Sequence, residues 1–185
     1  MKRFTNVKSG GVILTLLLLA LVSGSVWGQE TYQRVTSVSE LEAEKSFLIV
    51  NVDDQGRCIA LSNEQKKNNR GAVAVILAND KITLEQNSMA CQLVLKGSSS
   101  VGWSFYDEVN GGYLYAASSS GNYLKTQSTL DDDGRADIRF EANIATITFK
   151  GTNKRNVMQY NPNNGSPLFA CYGSESQKPL QLFKK

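Results

Sequence analysis

The chain has no histidine and, among 185 residues, only three cysteines, three prolines and two tryptophans. Without an imidazole, Ser–His–Asp triads and Cys–His dyads have no general base, so those nucleophilic mechanisms are excluded. Zinc sites built from cysteine and histidine are excluded too, since no two cysteines lie at Cys-x-x-Cys spacing. The composition predicts that the protein is not an enzyme and holds no cofactor or metal ion.

Carboxylates alone can hydrolyse glycosidic bonds, so the acidic residues need separate consideration. Asp107 and Glu108 are adjacent, and neighbouring side chains of a strand point to opposite faces, so the two cannot flank one bond. The acidic run Leu130–Gly134 lacks the spacing and the late glutamate of an EF-hand loop. We interpret it as a solvated acidic turn.

The N-terminus has the organisation of a signal peptide. Basic side chains within the first eight residues precede the apolar run Val12–Val22, and the small residues of Ser23–Gly28 follow it. A run of about eleven residues is too short to span a bilayer as a helix. We predict cleavage of residues 1–28, export to the periplasm, cell surface or medium, and no transmembrane segment after cleavage.

Charge argues against a polyanionic partner. The predicted signal segment holds three of the 20 basic residues and none of the 17 acidic ones, so the remainder carries 17 of each. No basic surplus is left to drive counterion release, so we predict no nucleic-acid binding. The short cluster of Lys66, Lys67 and Arg70 is interpreted as a solvated loop.

An internal repeat is the most informative feature. Lys96–Ser120 matches Lys150–Ser174 at an ungapped shift of 54 residues. A weaker first copy precedes them in the chain, and a shift of 56 residues aligns its Phe47 with Trp103. Each copy predicts two alternating strands around a turn of Asn, Asp and Gly. The predicted strand pairs are Phe47–Val52 with Cys58–Ser62, Trp103–Asp107 with Tyr113–Ala117, and Val157–Tyr160 with Leu168–Tyr172.

The third copy lacks its last strand, and a segment near the N-terminus can supply it. We therefore predict one all-β domain over 29–185, a β-trefoil-like closed barrel of three repeats of about 55 residues. Closure of this kind removes free sheet edges. The repeats cover about 47–102, 103–156 and 157–185, with strand 31–36 completing the last. The alternative is a β-sandwich, which has similar strands but no reason for threefold similarity.

The repeated turns suggest ligand loops. In that interpretation Asp107 or Asn161 bonds sugar hydroxyls beside a tyrosine ring that covers a sugar face. The candidate ligand-binding residues are Asp107, Tyr113, Tyr115, Tyr123, Asn161 and Tyr172. The alternative is that Asn and Asp only cap their own turns while Gly supplies positive φ, and the repetition of the turns favours this structural role.

The three cysteines are predicted to be buried free thiols. Cys58 aligns with Leu114 and Leu168, which is an apolar position. Export permits disulfides, and the odd count leaves at least one thiol outside any internal bridge. A bridge between Cys58 and Cys171 would join the first and third copies, and the sequence leaves it open.

The stretch Gly112–Thr126, with Gln159–Asn161 and Phe169–Tyr172, resembles a small β-rich module that recurs in secreted and surface proteins of gut Bacteroidetes. The opening Tyr32–Ser37 and the closing Leu180–Lys185 are similar to it as well. In that family the module is often an appendage of larger proteins and has no agreed activity. The resemblance implies an exported, modular protein and supplies no catalytic residues.

These observations predict a secreted, non-catalytic module that binds a glycan or a protein at the bacterial surface. One alternative is a structural or accessory subunit with no small-molecule site, held to a larger assembly by its neutral surface, which an exposed apolar patch around Tyr113–Tyr123 with no groove would favour. Another is a protease inhibitor that uses the loop Asn63–Arg70. A ricin-type lectin is disfavoured, because the chain has no Gln-x-Trp motif.

Overall fold

The computed structural model describes residues 29–163 and 165–185, so the predicted signal peptide 1–28 lies outside the described residues. The described chain is all-β, as predicted, with one 3-10 turn at Val38–Glu40. None of its helical segments is long and apolar enough to cross a bilayer.

Fifteen strands are formed in the described ranges. They are β1 (Glu30–Val35), β2 (Ser46–Val52), β3 (Cys58–Gln65), β4 (Arg70–Val75), β5 (Leu77–Ala78), β6 (Lys81–Leu84), β7 (Leu93–Ser98), β8 (Gly102–Asp107), β9 (Gly112–Ala116), β10 (Leu124–Gln127), β11 (Ala136–Glu141), β12 (Ile144–Phe149), β13 (Val157–Asn161), β14 (Leu168–Tyr172) and β15 (Gln181–Lys184).

The three predicted hairpins are present. The register opposes Val50 to Ala60 in β2–β3, Tyr106 to Tyr113 in β8–β9, and Met158 to Cys171 in β13–β14. In β9 buried and half-buried residues alternate, as expected for a strand with one face on the core. The local pattern of alternation and turn residues therefore predicted these elements correctly.

The strands form one antiparallel sheet that curls into a partial ring. Pairing runs through β2, β7, β8, β11, β12, β13, β14, β4 and β3 and returns to β2. Two links in this circuit are single residue pairs, Trp103 with Ala136 and Thr148 with Val157. The first and last strands lie side by side, with Arg34 opposite Phe183. The first and last strands of the described residues are thus paired with each other in the sheet.

Strand β2 separates two apolar clusters. Phe47 and Ile49 pack into the larger cluster inside the ring, while Leu48 and Val50 pack into a smaller one with Tyr32. All of these side chains are buried, which explains why the stretch 47–50 of β2 is apolar on both faces rather than alternating. Trp103, Phe105, Phe149 and Phe169 also lie in the larger cluster. This core fixes the backbone on which the candidate sites are built.

Candidate functional site

A buried ion pair joins the start of β4 to the end of β8. Arg70 Nη1 lies 2.6 Å from Asp107 Oδ2, and both side chains are fully excluded from solvent. The guanidinium also donates to Thr126 Oγ1 at 3.1 Å and to the Ser62 carbonyl at 2.9 Å. Arg70 therefore connects β3, β4, β8 and β10. The interpretation of Arg70 as part of a solvated loop is wrong, because its charge is neutralised inside the fold.

Asp107 has a structural role in its turn. Its Oδ1 accepts from the backbone N–H groups of Val109 and Asn110, each at 3.0 Å, and its Oδ2 accepts from Asn110 Nδ2. Burial alone would raise the pKa of Asp107, but the hydrogen bonds from Asn110 and the charge of Arg70 outweigh it and lower the pKa. The carboxylate is ionised at neutral pH and faces the interior.

The equivalent turn residues also bond internally. Asn51 is buried and donates through Nδ2 to the Pro179 carbonyl at 2.8 Å. Asn161 donates through Nδ2 to the Tyr172 hydroxyl at 2.9 Å, and its Oδ1 accepts the backbone N–H two residues ahead. These bonds support the structural interpretation of the turns.

Two of the predicted tyrosines lie together on an outward surface. Tyr113 and Tyr115 are half-buried on the same side of β9, whereas Leu114 between them points into the core. Across the sheet, Gln127 opposes Tyr113 and Lys125 opposes Tyr115.

A third ring extends this surface onto β8. Tyr106 opposes Tyr113, their ring centroids are 5.0 Å apart, and the rings meet edge to face. We call the surface of Tyr106, Tyr113, Tyr115, Lys125 and Gln127 the tyrosine face.

Two lysines lie over aromatic rings at this surface. Lys125 Nζ is 5.6 Å from the centroid of the Tyr123 ring, and Lys96 Nζ is 5.4 Å from that of Tyr106. Lys96 is also paired with Glu44 at 3.5 Å. Cation–π contacts of this kind hold the rings and ammonium groups in fixed relative positions. The structure thus brings Tyr113, Tyr115 and Tyr123 into one region.

The remaining candidates are elsewhere. Tyr172 is buried on β14 against Asn161, and Asp107 lies in the interior. The six predicted residues do not form a single site.

A second feature is a cleft of about 360 Å³ between the turn of hairpin β2–β3 and the end of β13. We call it the turn cleft. Its lining residues are Asn51, Asp53, Asp54, Gln55, Arg57, Ile59, Tyr160, Pro162 and Lys178. The volume is within the range of small-molecule pockets. The cleft therefore lies between the first and third of the repeated turns.

Tyr160 is the aromatic residue of the turn cleft. Its ring packs against Phe169 with centroids 5.2 Å apart, and only 6% of the residue is exposed. Burial raises its pKa, Arg57 opposes the rise and Asp53 adds to it. Asp53 and Arg57 line the same cleft as Tyr160. Asp53 also accepts a 2.6 Å hydrogen bond from Arg57 Nε, which orders the turn.

The three cysteines are free and buried. Burial raises the pKa of Cys58 to about 11 and that of Cys91 to about 12, and it also raises the pKa of Cys171. Within the described ranges, no group of three or more Cys, Asp or Glu residues is placed to hold a metal ion.

Sequence reasoning missed Arg70 and the turn cleft. Arg70 follows Asn68 and Asn69 in what reads as a polar loop, and only its position directly before the apolar stretch 71–75 could have indicated burial. The cleft joins residues from distant hairpins, so no local pattern marks it.

No family model and no curated protein matches this chain. Among solved structures, it is similar to the lysenin pore, with a TM-score of 0.48 and 12% identity over 83% of this chain and 49% of the lysenin chain. It is also similar to the complex of lysenin with phosphocholine, with a TM-score of 0.49 and 12% identity over 81% of this chain and 46% of that chain. This chain thus spans about half the length of those lysenin chains.

Proposed function

We propose that this protein is an exported, non-catalytic binding module that holds a glycan on the tyrosine face. One observation carries the proposal: Tyr113 and Tyr115 are half-exposed on one side of β9, with Gln127 and Lys125 opposite them. The sheet therefore presents two rings and two hydrogen-bonding side chains in fixed register.

The chemistry of these groups suits a sugar. An aromatic ring offers apolar area to the C–H face of a pyranose, and tyrosine adds a hydroxyl at its edge. The Lys125 ammonium has three donors, and the Gln127 amide both donates and accepts. Gln127 Nε2 already donates to Asp131 at 2.7 Å, which positions the amide. Stacking and directional hydrogen bonds can therefore act on the same ligand.

The platform is also supported from below. Leu114, between the two tyrosines, is fully buried, and Asp107 at the neighbouring strand end is held by Arg70. A rigid platform loses little conformational entropy when a ligand binds. Asp107 thus serves this site by ordering hairpin β8–β9, and it does not contact the ligand in our proposal.

We further propose that the fold is a β-trefoil whose last repeat is completed by the N-terminal strand. The three hairpins support this assignment, as does the pairing of β1 with β15. So does the bridge between Ala145 and Leu180, which joins β12 to the segment that leads into β15. A trefoil presents its hairpins at one end of a barrel, which would bring the first and third turns together.

A glycan array tests the proposal. The purified protein is screened beside Tyr113→Ala, Tyr115→Ala and Tyr172→Phe, with the fold of each variant checked by its melting temperature. We expect a bound glycan that both alanine variants lose and that Tyr172→Phe retains. The proposal is contradicted if the folded wild type binds no glycan on the array, or if only Tyr172→Phe loses glycan binding. The second outcome would move the site to the Asn161–Tyr172 pair.

An accessory subunit remains the alternative, and exposed apolar side chains favour it. Ile76 is 80% exposed and Met89 is 53% exposed, and both line one groove beside β4. If no glycan binds on the array, Ile76→Ser and Met89→Ser test this alternative. Each substitution should reduce the amount of a partner protein that co-purifies with the chain. Protease inhibition is a further proposal, for which Lys67 is exposed in the turn between β3 and β4.

A further inference from the structure

We propose a second ligand site in the turn cleft, which takes a neutral, hydroxyl-rich ring such as a hexose. The proposal does not depend on the tyrosine face, because the two sites share no residue. It stands on three observations: the size and lining of the cleft, two nearly buried polar side chains with unused hydrogen-bonding capacity, and a balanced set of charges.

The cleft has apolar walls and a polar lining. Ile59 and Pro162 contribute apolar surface, and the ring of Tyr160 is packed in place by Phe169. The volume of about 360 Å³ is at the lower end of the range for ligand pockets, which fits one or two sugar rings rather than a long chain.

Two nearly buried side chains retain unused capacity. Tyr160 is 6% exposed, and among the described residues its hydroxyl has no hydrogen-bond partner. Asn51 is 4% exposed, and its Nδ2 donates to Pro179, while its Oδ1 accepts from no group in the described chain. Neither atom is one of the fully buried unpaired polar atoms of the described residues, so both are open to the solvent of the cleft and can bond a ligand in place of water. The lining of the cleft therefore offers one hydroxyl and one amide oxygen to a ligand.

The charges of the cleft favour a neutral ligand. Its four charged residues are Asp53, Asp54, Arg57 and Lys178, two of each sign. The Arg57 guanidinium is already neutralised by Asp53 through the 2.6 Å contact. An anionic ligand would meet the exposed carboxylate of Asp54, and a cationic ligand would meet Lys178. A neutral ligand meets no uncompensated repulsion.

Adjacent hydroxyl groups match this arrangement. A hydroxyl both donates and accepts, so it can donate to Asp54 or Asn51 Oδ1 while it accepts from Lys178 or the outer nitrogens of Arg57. Two neighbouring hydroxyls on one sugar ring therefore provide two donors and two acceptors close together. The inferred ligand class is therefore a neutral pyranose, bound through two adjacent hydroxyls with a ring face near Tyr160.

Saturation-transfer difference NMR tests the site. The purified protein is titrated in turn with D-glucose, D-galactose, D-mannose and N-acetyl-D-glucosamine, and binding is detected by saturation transfer to the sugar protons. A separate titration with inorganic phosphate is monitored through changes in the chemical shifts of the protein. We expect at least one sugar to bind and phosphate not to bind. Tyr160→Phe keeps the ring and removes only the hydroxyl, and it should weaken sugar binding about tenfold. Asp54→Asn, at an exposed position, should also weaken binding with the melting temperature unchanged.

Tyr115→Ala separates this site from the tyrosine face. We expect that variant to bind the small sugar as the wild type does, even if it loses a longer glycan on an array. The proposal is overturned if none of the four sugars binds, if Tyr160→Phe and Asp54→Asn bind with wild-type affinity, or if phosphate binds in their place. Loss in Tyr115→Ala with full retention in Tyr160→Phe would also overturn it and assign the sugar to the tyrosine face.

Discussion

Arg70 and Asp107 form an ion pair that no solvent reaches, with Nη1 2.6 Å from Oδ2. The pair fixes the end of β8, and therefore the hairpin that carries Tyr113 and Tyr115, to the start of β4. Breaking a buried pair by removing one partner leaves an uncompensated charge in a medium of low polarity. The orientation of the tyrosine face thus depends on a contact beneath it.

Arg70→Met should lower the free energy of unfolding by about 3–5 kcal/mol, since Asp107 remains buried without its cation. Urea denaturation measures the change. Arg135→Met is the matched control, because Arg135 pairs with Asp132 at the surface and its loss should matter far less. Equal effects of the two substitutions would show that the buried pair does not hold the fold together.

The Asp107 pair should make stability sensitive to acid. The folded pKa lies below the ordinary value of 3.8, so the unfolded chain takes up the proton first as the pH falls. The stabilisation is therefore complete above about pH 4 and is lost as the pH falls through the folded pKa. Melting temperatures between pH 7 and pH 2.5 measure it.

Other carboxylates with lowered pKa values, such as Glu30 and Glu40, lose stabilisation in the same direction. Asp107→Asn isolates the contribution of one group, because asparagine does not titrate. Its acid-induced loss of stability should be smaller than that of the wild type. An identical loss would mean that Asp107 has the same pKa in both states.

The thiols should be unreactive in the folded protein. With pKa values of about 11 for Cys58 and about 12 for Cys91, few thiolates form at pH 8, and burial blocks access. A thiol-reactive dye should label none of the three cysteines in native buffer and all three in guanidinium. Fewer than three labels in denaturant without reductant would reveal a disulfide.

Two glycines with positive φ should respond differently to alanine. Gly56 has φ +74° and open space where a Cβ would lie, so Gly56→Ala should cost only the left-handed strain, about 1–2 kcal/mol. At Gly97, with φ +91°, a Cβ would lie 2.3 Å from the Gly102 carbonyl oxygen. Gly97→Ala should therefore cost a further amount of about 1–3 kcal/mol. Similar melting temperatures for the two variants would contradict this packing.

Local patterns predicted the local structure. Alternation and turn residues gave the three hairpins and the apolar position of Trp103, since both signals lie within one stretch of chain. It is the structure that places Tyr113 and Tyr115 on one side of β9. Local patterns could not place the Tyr106 ring edge to face with Tyr113 at 5.0 Å, because that geometry depends on the cross-strand register and the side-chain rotamers.

Contacts between residues far apart in the chain could not be predicted from the sequence. Arg70 reads as a loop residue, and its burial follows from an ion pair between two strands whose pairing no local pattern specifies. Asp107 was likewise predicted to bind a ligand. The local sequence does not distinguish a turn carboxylate that faces solvent from one that faces the core. The turn cleft likewise requires the first and third turns to meet in space.

The direct test of the central proposal compares Tyr115→Phe with Tyr115→Ala. For a glycan identified on the array, titration calorimetry gives the dissociation constant of the wild type and of both variants. If the ring forms the platform, phenylalanine should retain most of the affinity, and alanine should weaken binding at least about tenfold. Equal affinity for all three proteins would contradict the assignment of the ligand to the tyrosine face.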